Sequence, residues 1–212
     1  MTVIIEHIRR KGSLCYLAVA GGDNDVIVLA SVIEQFGLKE GAGLTLDQLE
    51  QVVAVSDRKR AENYATYLLS RRNYSVGQMI RKLKQKGYGE PILKHVIGDF
   101  LAMGILDDLR FARLMVESML MHKPAGRRYL IGRLRSSLVP HKIAESVVDE
   151  YLAETDETAL AERLIRARWR YLSKFDLETA RRKAYNYLSR RAIGYEAAKQ
   201  AFDRIAEEEA GH

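Results

Sequence analysis

The residues of this 212-residue chain that could do chemistry are five histidines, one cysteine and a pair of adjacent aspartates, and their spacing supports none. A catalytic site needs a nucleophile with its base, metal ligands at workable spacing, or a phosphate loop. His7, His95, His122, His141 and His212 are scattered, with no acidic or cysteine partner at ligand spacing. Cys15 stands alone in an apolar alternating run, so it can form no intramolecular disulfide, and its expected role is that of a half-buried strand residue. Gly87-Tyr88-Gly89 and Gly41-Ala42-Gly43 lack the Lys-Ser/Thr that completes a phosphate loop. Asp107-Asp108 reads better as an N-cap and first-turn carboxylate for the helix carrying Phe111-Ala112-Arg113 than as a metal site. The expectation is a protein that is not an enzyme and has no cofactor or metal.

What the sequence does supply is positive charge, unevenly placed. The net charge is +6. Residues 1–56 hold four Lys/Arg against seven Asp/Glu, whereas residues 57–108 hold ten against six and residues 109–152 eight against four. Residues 153–212 are nearly balanced, at twelve against eleven. A basic middle behind an acidic head suits a polyanionic partner, although a well-solvated surface of high pI would look the same.

The elements that must carry these charges change character near residue 56. Val3-Ile4-Ile5, Leu14 to Val19 and Val26-Ile27-Val28 are β-favouring runs, separated by Arg9-Arg10-Lys11-Gly12-Ser13 and by the turn signal Gly21-Gly22-Asp23-Asn24-Asp25. They predict a small antiparallel meander. Ala30 to Phe36 predicts a short helix stopped by Gly37, and Leu44 to Val53 another with Thr45 as its N-cap. From there the pattern is helical. Ser56 or Asp57 is expected to cap a helix carrying Ala61, Tyr64, Ala65, Leu68 and Leu69. Ser75 caps a second, with Val76, Ile80 and Leu83 on one face and Gly87 at its end, and a third runs from about Pro91 to Gly104.

The same plan recurs at offsets of 51 and 54 residues. Leu83, Leu134 and Leu188 align, and downstream Val96, Val147 and Ala201 fall together, as do Phe100, Tyr151 and Ile205. Amphipathic helices resemble one another, but the shared helix ends favour a true repeat. The fold class expected is mainly α: an extended array of three tandem three-helix repeats after a small β-containing N-terminal segment. The boundaries are 1–55 for the head and 57–108, 109–152 and 156–206 for the repeats.

Each middle helix of this plan is rich in cations. The first has Arg81, Lys82, Lys84 and Lys86, the second Arg127, Arg128, Arg133 and Arg135, and the third Arg181, Arg182, Lys183, Arg190 and Arg191. Such residues would bind phosphates by charge and counterion release without reading bases. Tyr74, Tyr129 and Tyr185 or Tyr187 lie beside them. These tyrosines could stack on exposed bases, or simply sit at the core edge with wet hydroxyls. Charge alone does not separate a DNA partner from an acidic protein surface.

Several stretches resemble the RecX family of RecA regulators. Gly104-Ile105-Leu106-Asp107-Asp108-Leu109-Arg110-Phe111-Ala112 is similar to the family's junction between repeats. Leu69-Ser70-Arg71-Arg72-Asn73-Tyr74-Ser75 with Leu83 to Tyr88 resembles its first repeat, Gly126-Arg127-Arg128 through Leu134-Arg135 its second, and Lys183 to Tyr195 its third. The resemblance covers about residues 57–206. Two departures stand out: Ser137-Leu138-Val139 replaces a Lys-Gly-Ile-like turn, and Ala192 stands where glycine is usual.

The resemblance implies a regulator that binds RecA and lies along the RecA–DNA filament, modulating and usually inhibiting recombinase, ATPase and coprotease activity in recombination, repair and the SOS response. On this reading the expected filament contacts are Arg71 and Arg72 with Arg81, Lys82, Lys84, Lys86, Arg127, Arg128, Arg133, Arg135, Arg181, Arg182, Arg190 and Arg191, with weak direct DNA binding as an adjunct. A free-standing helical DNA-binding regulator and a scaffold without nucleic acid are the competing readings. The cytoplasm is the expected compartment, because the N-terminus lacks a signal-peptide pattern and no apolar run reaches the ~18 residues of a membrane span. A monomer is expected because an array fills a groove without symmetry.

Overall fold

The computed structural model describes residues 2–210; Met1 and His212, the last of the five histidines, lie outside them. The chain forms two compact units. One comprises the residues up to Tyr74 together with Met79–Leu106, and the other comprises Ser75–Gln78 with the chain from Asp107 onward.

The first unit opens with a four-stranded antiparallel sheet in the order β3-β2-β1-β4. Strand β1 (Thr2–Lys11) is longer than its apolar start suggested, and Arg9, Arg10 and Lys11 lie within it, opposite Tyr16, Cys15 and Leu14 of β2 (Leu14–Val19). Their side chains are exposed to water, where Arg9 pairs with Asp25 and Arg10 with Glu34. The turn needs only Gly12, at φ +63°, and Ser13. Cys15 is buried, more so than the half-buried position expected. Strand β3 (Val26–Leu29) completes the meander and runs into helix α1 (Ala30–Phe36), which Gly37 ends at φ +60°.

The sequence pattern did not show β4 (Gly43–Thr45), which pairs with Thr2–Ile4 of β1. Leu44, expected in a helix, is a buried strand residue. Thr45 does cap helix α2 (Leu46–Leu69), in a reciprocal capping box with Gln48. However, α2 is one continuous helix of 24 residues running through the expected boundary at residues 55–57. Ser56 is not a cap. It is fully buried, and its hydroxyl accepts the Leu29 N–H at 2.9 Å, tying the sheet to the helix. With no glycine or proline between residues 46 and 69, nothing breaks the helix.

Helices α3 (Val76–Gln85) and α4 (Glu90–Ala102) follow. The second unit then holds α5 (Asp108–His122), α6 (Arg127–Ser136), α7 (His141–Leu152), α8 (Glu157–Arg166), α9 (Trp169–Leu172), α10 (Leu177–Ser189) and α11 (Tyr195–Ala210). The stretch expected as the third repeat therefore contains four helices, because α9 intervenes between α8 and α10. Two cores fill this unit. One lies around Leu130, Leu134 and Val147 and the other around Leu188, Phe202 and Ile205, with Leu120 and Leu152 packed against both.

The middle helices α3, α6 and α10 end alike. Leu83, Leu134 and Leu188 are fully buried, and their carbonyls accept the N–H groups of Tyr88, Val139 and Ile193. The intervening residue has a left-handed backbone each time: Gly87 at φ +94°, Leu138 at +61° and Ala192 at +57°. This is the glycine-type helix stop, kept in the second and third cases without glycine. The two departures from the family pattern are therefore the two strained copies of one turn. Replacing Ala192 with glycine should relieve left-handed strain and stabilise the protein by a net 0.5–1 kcal/mol or so, after glycine's added unfolded entropy. An unchanged or lower urea midpoint would show that the turn stores no such strain.

Candidate binding surface

The helix-ending turns also join consecutive segments of the second unit. Ser75, at the start of α3, donates its hydroxyl to the Ser137 carbonyl and accepts the Gln78 N–H at 3.1 Å, so it caps α3 as expected while reaching a later turn. Gly126, at the start of α6, donates its N–H to the Arg191 carbonyl at 2.8 Å. Ser75 and Gly126 are 51 residues apart, and Ser137 and Arg191 are 54 apart, the offsets that align the repeats. One contact is thus made twice: the turn ending a middle helix docks on the start of the preceding middle helix.

Adjacent acids complete the junction. Asp107 caps α5 by accepting the Arg110 N–H at 3.0 Å, while Asp108 accepts the Val76 N–H at 2.9 Å and so caps α3. The first function was legible in sequence; the second, across 32 residues, was not. Asp156 and Glu157 divide the work comparably. Asp156 caps α8, and Glu157 accepts the N–H of Gly194 beside Gly126.

Burial pushes the Asp108 carboxyl above its ordinary range, against the lowering effect of the Val76 hydrogen bond, and the negative charge of Asp107 pushes it the same way as burial. A folded-state value above the unfolded one means that stability is greatest below the usual carboxylate range and is lost as pH rises through the folded value. Asp108→Asn keeps an acceptor for Val76 and should remove this loss, flattening the stability–pH profile above pH 4 or so. Asp108→Ala strands the Val76 N–H and should cost about 1 kcal/mol or more throughout. Equal urea midpoints for the two variants at neutral pH would contradict the assignment.

The structure sorts the predicted contact cations into two groups. Arg127 is held by Asp149 at 2.6 and 2.9 Å with Glu145 at 3.6 Å, raising its pKa and lowering that of Asp149 through their shared hydrogen bonds. Arg181 pairs with Asp203, and Lys84 with Glu90. Arg191 donates to the carbonyls of Lys123 and Pro124, both at 3.2 Å, and works as a strap within the junction. Arg190 donates to the Asn186 carbonyl. Arg71 lies over Tyr67, Arg72 over Tyr74 at 3.7 Å, and Lys86 over Tyr64. Among the described residues, Arg81, Lys82, Arg128, Arg133, Arg135 and Arg182 have no carboxylate in ion-pair range. Each middle helix thus keeps at least one uncompensated cation facing water.

Of the aromatics, Tyr74 is buried, Tyr185 packs on Tyr195 and Phe202, and Tyr129 and Tyr187 are half-buried beside arginines. Arg168, just before α9, lies over the Tyr187 ring at 4.0 Å and carries no mark in the sequence pattern. Its proximity depends on α9, a one-turn helix too short to leave a periodic signal.

Sequence and fold together define a mainly helical protein in which similar helical segments follow a small β-sheet. Residues 61–100 match the RecX first three-helix domain. Regulatory protein RecX of Pelodictyon phaeoclathratiforme is 30% identical over 141 residues, 66% of this chain and 86% of that protein. Regulatory protein RecX of Prosthecochloris aestuarii is 31% identical over 150 residues, 71% of this chain and 96% of that one. The fold also matches a crystal structure of regulatory protein RecX, with a TM-score of 0.66 at 18% identity, covering 95% of this chain and 99% of the other. RecX from Lactobacillus salivarius gives 0.62 at 15%, covering 72% and 98%. The chain belongs to the RecX family of regulatory proteins. Among the described residues, no helix is long and apolar enough to cross a membrane.

Proposed function

We propose that this chain is a non-enzymatic regulator that binds RecA and the RecA–DNA filament and inhibits the recombinase, ATPase and coprotease activities of RecA in recombination, repair and the SOS response. It acts as a cytoplasmic monomer, with repeats at 57–108, 109–152 and 156–206. The observation that carries this reading is the recurrence of uncompensated cations on the middle helices α3, α6 and α10, in a chain of the RecX family. An ion-paired arginine must lose its partner before it can serve another surface, whereas Arg81, Lys82, Arg133 and Arg135 need only shed water and counterions. A filament repeats along its length, so cations repeated along the chain match it better than one recognition helix would.

The test is a titration of purified protein into RecA's DNA-dependent ATPase and strand-exchange reactions at two salt concentrations. Inhibition at well below one chain per RecA protomer, weakening with salt, is the expected result. No effect on either reaction, together with salt-sensitive binding to naked duplex, would overturn it in favour of a free-standing DNA-binding regulator.

A further inference from the structure

Three clefts in the second unit share walls. A cleft of ≈590 Å³ is lined by Arg168, Arg170, Tyr171 and Lys174 with Ala167. Arg168 continues into one of ≈280 Å³ with Tyr187, Arg191, Tyr129 and Arg190. Tyr129 and Arg190 continue into a third of ≈540 Å³, reaching Arg128 and Gly194. No aspartate or glutamate is among these lining residues. Elsewhere in the unit carboxylates are supplied freely, to Arg113 by Glu150, Arg166 by Glu208 and Arg204 by Glu162. The carboxylate of Glu157, at the Gly194 end of this track, is engaged by the Gly194 N–H at 3.1 Å.

The track alternates cations with rings. Arg168 and Arg191 both lie over the Tyr187 ring, at 4.0 and 5.2 Å, and Arg191 lies 6.0 Å from Tyr129. Packing like charges together without acids is unfavourable in the free protein, and a polyanion would relieve it. An acidic peptide would satisfy the arginines but make no use of the half-buried Tyr129 ring. Duplex DNA hides its bases. A single strand offers phosphates and unstacked bases at once, the combination to which grooves of alternating cations and aromatics are suited.

We propose that this track is a binding site for single-stranded nucleic acid, with Arg168 and Arg190 on phosphates and Tyr129 against a base. The proposal extends the filament reading by placing the chain beside nucleic acid, but it requires no RecA for its test.

A fluorescein-labelled oligo-dT with a single 2-aminopurine is titrated with full-length protein, in the absence of RecA, and followed by anisotropy and by 2-aminopurine quenching. Arg168→Ala/Arg190→Ala should weaken binding about tenfold and make the salt slope shallower by about 1.4, roughly 0.7 for each phosphate left without its arginine. Tyr129→Leu should weaken binding about tenfold and reduce the quenching, with an unchanged thermal midpoint showing that the fold is intact. Wild-type affinity in both variants would overturn the site, whatever the RecA assays give. Equal competition by poly-glutamate would overturn nucleic acid as the ligand, and equal competition by duplex would overturn the preference for a single strand. Failure of the wild-type chain to inhibit RecA would instead strike the filament reading alone.

Discussion

Replacing Gly126 with alanine should destabilise the protein by about 3 kcal/mol, at the upper end of overpacking costs. The added methyl would lie 2.0 Å from the Ala192 carbonyl oxygen and 2.8 Å from its carbon. Both are backbone atoms, so no side chain can swing aside, and Ala192 is already held at φ +57° by the bond from Ile193 to Leu188. The Gly126 N–H is committed to Arg191 and the Arg191 guanidinium to Lys123 and Pro124, so the two peptides cannot slide apart without breaking three hydrogen bonds. The backbone at Gly126 is ordinary, φ −77°, so the cost is steric and not conformational. Gly98→Ala is the matched control: its new methyl meets nothing within 4 Å inside α4, and helix propensity predicts a gain of up to about 1 kcal/mol. In a thermal melt the first should lower the midpoint by roughly 6–12 °C and the second should raise it slightly. A Gly126→Ala midpoint close to wild type would mean that the turn can retreat, and that the junction is looser than its hydrogen bonds imply.

The junction also shows why part of the fold was legible and part was not. Leu83, Leu134 and Leu188 announced themselves because a buried face repeats along a helix, and Gly87 and Gly37 because left-handed stops favour glycine. Leu138 and Ala192 adopt the same conformation against their own preference; neighbouring hydrogen bonds impose it, and a residue's type does not reveal that. The break expected near Ser56 failed for a related reason. Serine is a good N-cap in isolation, but here its hydroxyl serves a strand 27 residues earlier. Strand β4 and helix α9, at three and four residues, span too few turns of their periods for a hydrophobic pattern to repeat. Among candidate contacts, the sequence marked which helices were basic. It did not mark which cations were already bound, because Arg127 meets Asp149 across 22 residues and Arg191 meets Pro124 across 67.

That sorting of cations leads to the second large effect expected, in RecA inhibition. Arg133→Glu/Arg135→Glu should raise the protein concentration for half-inhibition of RecA's ATPase by about tenfold or more, because reversing unpaired interface charges replaces attraction with repulsion and slows association. Both side chains are exposed near the end of α6, where positive charge also suits the helix dipole, so some stability is lost as well, on the order of 0.5 kcal/mol for each. That is small beside the binding effect, and a thermal melt separates the two. Arg127→Gln is the discriminating partner. Arg127 lies on the same helix, but two carboxylates already occupy its guanidinium, so it has least to offer a new surface. It should inhibit within about twofold of wild type, the small change expected where the pair keeps the charge occupied. Losing Arg127 also releases Asp149 from its lowered pKa; stability that this pair supplies above the usual carboxylate range, and loses on acidification, should therefore be absent in the variant. If Arg127→Gln impaired inhibition as much as the Arg133/Arg135 reversal, freedom from an acid partner would not be what selects the contact. If neither variant changed inhibition while the wild-type chain inhibited RecA, the contact would lie away from α6.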